Sequence, residues 1–506
     1  MKSPTLSAFV LSALTLLQPA ACDGASGNGT RDAREDPAPQ DGRDPAGDEA
    51  VETTGDDGDL QEPDEGAAET GDPAGDAEAD EGEAPGPTIV EGTNPVIAGD
   101  RPDPHVLRTI GADGRAVYTL THTTGNGGDF PVLTSTDLIH WTEQPRRLFD
   151  RSSVPGSSID VNGAFFCDLW APQIVQVSTD VFLLSFSATR RSAPQNPCPG
   201  YGEDGGVYLA SSVSALGPFA VADRPWEPLP AGGHIVDCPA ATENEIPHSV
   251  DWASRDCQGN YCHKIIRLDS DVFLDPSTGR WWLTYSWFTN SPPLVEWETV
   301  NFGEHTNIVE LDAADPWTVI CDPAVAQIHL ANPHDDATLA ALASYCPRCG
   351  EMLSMTRGRY DEEMARDGYS WGVVEGANLI RRGDWVYAFI SGSAYDSAYY
   401  HVYWVAARSV EELVYTSGAR LVGRFLVPSL DQSFGHGTAV LGPDGVAWYF
   451  VHHRLDHGPC MTSGTCPRDV WVSPIEFEDR GDGLGDVWIR ARFPAEDPSV
   501  SVVLPP

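Results

Sequence analysis

The chain has 506 residues, with 31 Lys+Arg against 75 Asp+Glu and a formal charge of −44. That balance excludes a phosphate-tracking nucleic-acid binder, which needs a basic face to release counterions, and docking on anionic lipid through a basic patch. Aromatic residues at 9%, including 15 Trp and 15 Tyr, exclude a wholly disordered protein.

Residues 1–22 read as an export signal. Lys2 precedes an apolar run from Ala8 to Leu17 that is too short to span a bilayer and ends in small residues. Cys22, after Ala20-Ala21, resembles the lipidated cysteine of bacterial lipoproteins, although Pro19 stands where an aliphatic residue is usual. Lipid attachment and plain signal-peptidase cleavage are both open. Residues 23–92 read as a disordered acidic linker, because the first 68 of them carry 22 acidic side chains, three Arg and no Phe, Trp or Tyr. Such a segment cannot bury enough surface to offset its ordering entropy. Ten further cysteines lie beyond residue 160. Behind an export signal an even number favours disulfides, with Cys257/Cys262, Cys346/Cys349 and Cys460/Cys466 as close pairs.

Beyond the linker no long helical period dominates; short helices are expected at 336–345 and 409–413. A turn followed by a β-rich aromatic run recurs five times: GADGRAVYTLTH (111–122), STDVFLLSFS (178–187), DPSTGRWWLTYS (275–286), RRGDWVYAFIS (381–391) and GPDGVAWYFVHH (442–453). Each pairs a hairpin turn with residues that fit a pleated, buried surface. Five copies predict five similar sheets, so residues 93–506 are expected to form an all-β five-bladed β-propeller, which protects its sheet edges by radial arrangement. A β-sandwich is the alternative.

Ahead of each run lies another short strand bearing an unusual residue: Asp103, Trp170, Asp269, Glu375 and His436 in chain order. In a propeller the first strand of each blade lines the axis, so these positions are expected to converge on one funnel. Two aspartates and a glutamate meeting there have a chemical meaning. Glycosidic hydrolysis needs one carboxylic acid to protonate the leaving oxygen and one carboxylate to activate water or attack the sugar. A third carboxylate near the acid raises its pKa by like-charge repulsion.

At these motifs the sequence resembles glycoside hydrolase family 43, five-bladed propeller enzymes acting on arabinan, arabinoxylan and xylan. The carrying pieces are NPVIAGDRPDP, FPVLTSTDLIHW (130–141), LWAPQI, LDSDVFLD (268–275), VVEGANLI and GHGTAV with the later FVHH. They run in the family's order from Asn94 to about Leu504. The resemblance makes Asp103 the general base, Glu375 the general acid and Asp269 the residue that orients and tunes the acid, with Asp271 as a rival for that last role. Ser270 and Ala377 depart from the prolines common in the family at these places. Trp170 matches a wall of the sugar subsite, with core packing as its rival. Phe130 is a further sugar-contact candidate. Arg468 matches an arginine that reaches the sugar, with Arg454 competing. His436 matches a histidine that faces an axial calcium ion in many members; a hydrogen-bonded core histidine is the other reading.

The implied function is inverting hydrolysis of α-L-arabinofuranosidic or β-D-xylosidic bonds in plant polysaccharide or its oligosaccharides. The alternative is a surface carbohydrate-binding lipoprotein that keeps the propeller without catalysis, and a retaining propeller fructosidase is a remote third. A carbohydrate is the expected partner, with no nucleic acid and no membrane contact except a lipid anchor. No redox or nucleotide cofactor is required; a structural Ca²⁺ near the axis is the open option. The chain is expected to be exported, either lipid-anchored on the bacterial envelope or periplasmic or secreted. Oligomeric state is not legible.

Overall fold

The computed structural model describes residues 88–124, 128–149, 159–161, 164–191, 205–220, 264–290, 305–311, 374–413, 418–429, 431–458 and 467–505. Cys22, most of the acidic stretch, the expected helix at 336–345 and nine of the ten downstream cysteines lie outside these residues. The tenth, Cys167, is disulfide-bonded. The described residues are all-β, with one 3₁₀ turn at Glu411–Leu413 inside the second expected helix.

Five antiparallel sheets follow one another in sequence. The first holds β2 (His105–Ile110), β3 (Ala116–Thr121), β4 (Pro131–Ser135) and β5 (Thr142–Arg147), after a short β1 (Ile89–Thr93). The second holds β6 (Ile159–Val161), β7 (Ala164–Ser178), β8 (Val181–Arg191) and β9 (Gly205–Ser212). The third holds β10 (Lys264–Asp275), β11 (Arg280–Asn290) and β12 (His305–Leu311). The fourth holds β13 (Val374–Arg382), β14 (Trp385–Gly392), β15 (His401–Ala407) and β16 (Leu421–Leu426). The fifth holds β17 (Gln432–Leu441), β18 (Trp448–Asp456) and β19 (Arg468–Ile475). Three short strands complete the chain: β20 (Phe477–Glu478), β21 (Trp488–Ile489) and β22 (Ser499–Val503). The five repeated runs supply β3, β8, β11, β14 and β18, the second strand of the inner hairpin in every sheet.

Strands β2, β7, β10, β13 and β17 touch in that cyclic order, and β17 returns to β2. The sheets are therefore five blades around one axis, which rules out the sandwich. Apolar side chains fill the space between blades. Phe130 and Phe149 of the first meet Phe166, Phe186 and Tyr208 of the second in edge-on and tilted pairs. Each such pair contributes about 0.5–1.5 kcal/mol beyond its burial. The ring is locked by chain ends. β1 pairs with β22, so the folded part starts four residues before the expected boundary at 93. Asn94 clamps Val472 through both amide atoms at 2.8 and 2.9 Å, and Ile97 bridges Val470 on the outer strand of the last blade.

The blades are also joined at the axis by a repeated hydrogen bond. One polar side chain per inner strand accepts the backbone N–H of the next blade. Ile174 donates to His105 Nδ1 at 3.2 Å, Val272 to Gln173 Oε1 at 2.8 Å and Leu379 to Asp271 Oδ2 at 3.2 Å. Ala439 donates to Asn378 Oδ1 at 2.8 Å and Val106 to Thr438 Oγ1 at 3.3 Å. In every case the donor is the residue after the next blade's own acceptor. A buried inner strand must satisfy its amides, and this ring does so without a sixth neighbour. Burial, then nearby His436, pulls the His105 imidazole down to about 3, which keeps Nδ1 free to accept.

Candidate active site

Two residues before each acceptor of that ring, the backbone turns left-handed. Asp103, Ala171, Asp269, Gly376 and His436 have φ of 54°, 46°, 53°, 61° and 37°. Such a conformation costs a non-glycine residue roughly 1–2 kcal/mol, and strain of this kind collects at functional sites. The inner hairpins carry matching register shifts at Trp170/Gln173, Leu268/Asp271, Glu375/Asn378 and Gly435/Gly437. A bulge re-aims the side chain it displaces. Four inner hairpins carry this bulge, and the five left-handed residues Asp103, Ala171, Asp269, Gly376 and His436 line one axial cavity of about 20 Å³ together with the acceptor ring.

Four of the five displaced amides are taken up by the preceding blade. Asp103 N donates to His453 Nδ1 at 3.1 Å, Ala171 N to Thr123 Oγ1 at 2.8 Å, Asp269 N to Ser187 Oγ at 2.8 Å and His436 N to Ser391 Oγ at 2.7 Å. Ser187, Ser391 and His453 close their second-strand runs and Thr123 follows the first run directly, so the recurrent sequence signal ends on or next to the groups that hold these amides. His453 is fully buried, and burial, then Arg468 and His436, hold its pKa well below the usual histidine range. It is a neutral acceptor beside Asp103.

Asp103 sits at the centre of the charges. Its Oδ2 accepts the Thr123 hydroxyl at 2.7 Å, while Oδ1 lies 3.4 Å from His436 Nδ1 and 3.5 Å from Arg468 Nη1. His436 Nδ1 is also 3.8 Å from Asp269 Oδ2. One ligand-type atom from each of Asp269, Glu375 and His436 falls within 4.8 Å of the others. Glu375 Oε1 accepts the Tyr400 hydroxyl at 2.6 Å. Burial raises the Glu375 pKa and the Asp103 charge raises it further, while His436, Tyr400 and Arg468 oppose the shift; the net direction is upward. The fold thus brings together the three carboxylates read from sequence, with the Glu375 pKa raised by burial and Asp103 surrounded by donors.

The other sequence candidates separate. Asp271 does not share the role of Asp269, because the bulge between them turns it to the acceptor ring, where Asn378 Nδ2 donates to its Oδ2 at 2.7 Å. Arg468 reaches Asp103, with its guanidinium over the Tyr395 ring at 4.6 Å. Arg454 is spent elsewhere, paired with Asp456 and lying over Trp471. Trp170 is half-buried on β7 at the place that Glu375 holds on β13, one residue before the left-handed position. Phe130 is 0% exposed and packs into the aromatic cluster between the first two blades, not against the axial cavity. Thr123, Tyr395, Tyr400 and His453 belong to the site without having been candidates.

Asp269, Glu375 and His436 are the described side chains that could converge on a metal ion. Two carboxylates and an imidazole suit a borderline transition ion; calcium takes six to eight oxygens. For the calcium implied by the resemblance, the two carboxylates would supply part of the oxygen shell and water the rest, with His436 facing the ion directly or through water; no step below runs through a metal.

Residues 92–244 match the family model described as Glycosyl hydrolases family 43. No curated protein matches the chain. Similar solved structures include a thermostable family-43 glycoside hydrolase, 18% identical over 79% of this chain and 96% of that one, with a TM-score of 0.49. An α-L-arabinofuranosidase from Lactobacillus brevis is 15% identical over 78% and 96%, with a TM-score of 0.47. An exo-1,5-α-L-arabinanase from a bovine ruminal metagenomic library is 16% identical over 78% and 97%, with a TM-score of 0.44. The matched residues 92–244 carry Asp103 and the whole first blade, so the likeness to the glycosyl hydrolases of family 43 falls on the part of the chain that supplies one of the three carboxylates.

Proposed function

We propose that the protein is an inverting glycosidase in which Asp103 is the base and Glu375 the acid. The observation that carries this reading is the meeting of Asp103, Asp269 and Glu375 around His436, from three blades and 272 positions of sequence. A water held by Asp103 attacks the anomeric carbon and gives its proton to that carboxylate. The glycosidic C–O bond breaks with its electron pair moving to the leaving oxygen, which takes the proton of Glu375. Inversion requires room for that water between acid and base, about 6.5–9.5 Å between the two carboxyl groups. Burial raises the Glu375 pKa, as an acid requires, and the Thr123 hydroxyl and the Arg468 guanidinium lie against the Asp103 carboxylate, as a base that receives a proton from water requires. Asp269, close to Glu375 and His436, orients the acid.

The substrates we infer are α-L-arabinofuranosides or β-D-xylosides of plant cell-wall polysaccharide, with Trp170 as a wall of the subsite and Arg468 as a hydrogen-bond donor to sugar hydroxyls. Export and attachment at Cys22 are part of the same reading. The test is turnover of aryl arabinofuranoside, aryl xyloside and arabino- and xylo-oligosaccharides by the full chain, with the anomer of the first product followed by NMR. Glu375→Gln and Asp103→Asn are expected to lose at least about 100-fold on oligosaccharides, and the first product is expected to have the inverted configuration. Sugar binding without turnover would establish the non-catalytic carbohydrate-binding protein instead, and a retained anomer would overturn the roles given to the two carboxylates.

A further inference from the structure

Beside Glu375 stands a tyrosine that the reaction as written does not use. Tyr400 is fully buried, directly before β15, and its hydroxyl donates to Glu375 Oε1 at 2.6 Å. Its ring stacks on the His453 imidazole, with centroids 5.5 Å apart and planes at 15°. Main-chain bonds fix it further: Tyr400 N donates to Ser397 O at 3.1 Å and its carbonyl accepts Phe434 N at 3.2 Å. The space it occupies exists because residue 435 is glycine; a Cβ there would lie 1.9 Å from the tyrosine ring. A phenol packed this tightly is aimed.

We propose that Tyr400 is a positioning residue that reserves Glu375 Oε1 and thereby places the transferable proton on Oε2. The inference rests on the acid role given to Glu375 above. A phenolic donor on Oε1 leaves Oε2 as the oxygen that carries hydrogen in the protonated acid. When the Oε2–H bond breaks toward the leaving oxygen, the new carboxylate charge is shared with Oε1, where the Tyr400 hydroxyl is already directed. Tyr400 keeps its own proton throughout. Burial first, then the nearby Glu375 charge, hold its pKa well above the ordinary phenol value, so it remains a donor at any working pH. The other charged or titratable groups near Glu375 are His436, Asp103, Arg468, Asp269 and Tyr395.

Tyr400→Phe keeps the ring, its stacking on His453 and the packing against Gly435, and removes the hydroxyl alone. With an oligosaccharide or alkyl glycoside, whose leaving group needs protonation, kcat/KM is expected to fall about 10- to 100-fold, the worth of a hydrogen bond to a charged group. With a dinitrophenyl glycoside of the same sugar, which leaves without an acid, the loss is expected to be at most a few-fold. Equal losses on both substrates would mean that Tyr400 acts only on the shape of the site, and would overturn the proposal.

A second readout does not depend on turnover. In protein labelled with ¹³C at the glutamate carboxyls, with Glu375→Gln identifying the resonance, the Glu375 titration is expected to move to higher pH in Tyr400→Phe, because a donor to the charged form is gone. No movement would overturn the proposal. Movement in a protein that hydrolyses no glycoside would overturn the hydrolase reading and leave the Tyr400–Glu375 coupling standing.

Discussion

The Thr123 hydroxyl donates to Asp103 Oδ2 at 2.7 Å and at the same time accepts the amide of Ala171 at 2.8 Å. One small side chain therefore fixes the carboxylate read as the base and satisfies the strained backbone of the neighbouring blade. Thr123→Val keeps the shape and loses both bonds. The expected outcome is a fall in kcat of roughly tenfold with little change in KM, and a loss of about 1–3 kcal/mol of stability from the orphaned Ala171 amide. Thr123→Ser should restore both. Kinetics and urea unfolding of the two variants check it; an unimpaired Thr123→Val would show that Asp103 is held by its other contacts.

Gly376 follows Glu375 and has φ of 61°, and a Cβ on it would meet the His436 ring at 2.9 Å. The glycine is thus required twice, by the backbone and by the imidazole that bridges Asp103 and Asp269. Gly376→Ala is expected to cost about 1–2 kcal/mol from the left-handed conformation alone and to push His436 out of line. Activity should fall further than in Gly445→Ala, where φ is 72° but nothing lies within 4 Å. Equal activity in the two variants would separate His436 from the chemistry.

The blades were legible because β3, β8, β11, β14 and β18 share a composition, aromatic and β-branched residues behind a polar turn, that only a buried inner strand needs. The carboxylates were legible because Asp103 and Glu375 stand in short unusual contexts, Pro-Asp-Pro and Val-Glu-Gly. The frame that unites them was not. Asp-Pro-His, Ala-Pro-Gln, Asp-Ser-Asp, Gly-Ala-Asn and His-Gly-Thr, at 103–105, 171–173, 269–271, 376–378 and 436–438, occupy the same place in five blades. They share a left-handed first residue and an acceptor at the third, and no residue type. Strict alternation would place Asp269 and Asp271 on one face as rivals, and the bulge removes that alternation. Phe130 stands just ahead of β4, at the mouth of the first blade, and its ring turns into the packing between blades, a direction that only the neighbouring blade's Phe186 decides. Tyr400 could not be found locally, since its path to Glu375 runs past Gly435, on another blade.

Asp271 provides a test of the acceptor ring that is independent of catalysis. It is buried, its Oδ1 has no hydrogen-bond partner among the described residues, and burial pushes its pKa up to about 7 against hydrogen bonds from Asn378 and Leu379. Between about pH 4 and 7 the native state therefore holds a proton that the unfolded chain has released. The contribution of this residue is unfavourable to folding at higher pH, growing through that window to a cost of order 4 kcal/mol. Asp271→Asn keeps an acceptor for Leu379 N and removes the titration. Relative to the parent, the variant should gain stability between pH 5 and pH 8, read from urea midpoints at the two values; parallel curves would show that Asp271 does not exchange its proton on folding.

Arg468 completes the electrostatics of the site. Its Nη1 lies 3.5 Å from Asp103 Oδ1, its charge favours the ionised form of Glu375, and its Nε is buried without a hydrogen-bond partner among the described residues. Arg468→Met keeps most of the aliphatic stem and the contact with Tyr395 while removing the charge. The sign follows directly: with a cation gone, the Glu375 carboxylate is less favoured, so its pKa rises above an already raised value. The basic limb of kcat/KM, which reports loss of the proton from the acid in the free enzyme, should move to higher pH. Activity at the optimum should fall roughly tenfold or more as a donor to the sugar is lost. Arg468→Lys should hold the basic limb near its original position, because it restores the charge, while recovering only part of the rate, because one ammonium cannot reproduce the planar fork of a guanidinium. A basic limb that stays fixed in Arg468→Met would place the arginine outside the electrostatic reach of Glu375 in solution.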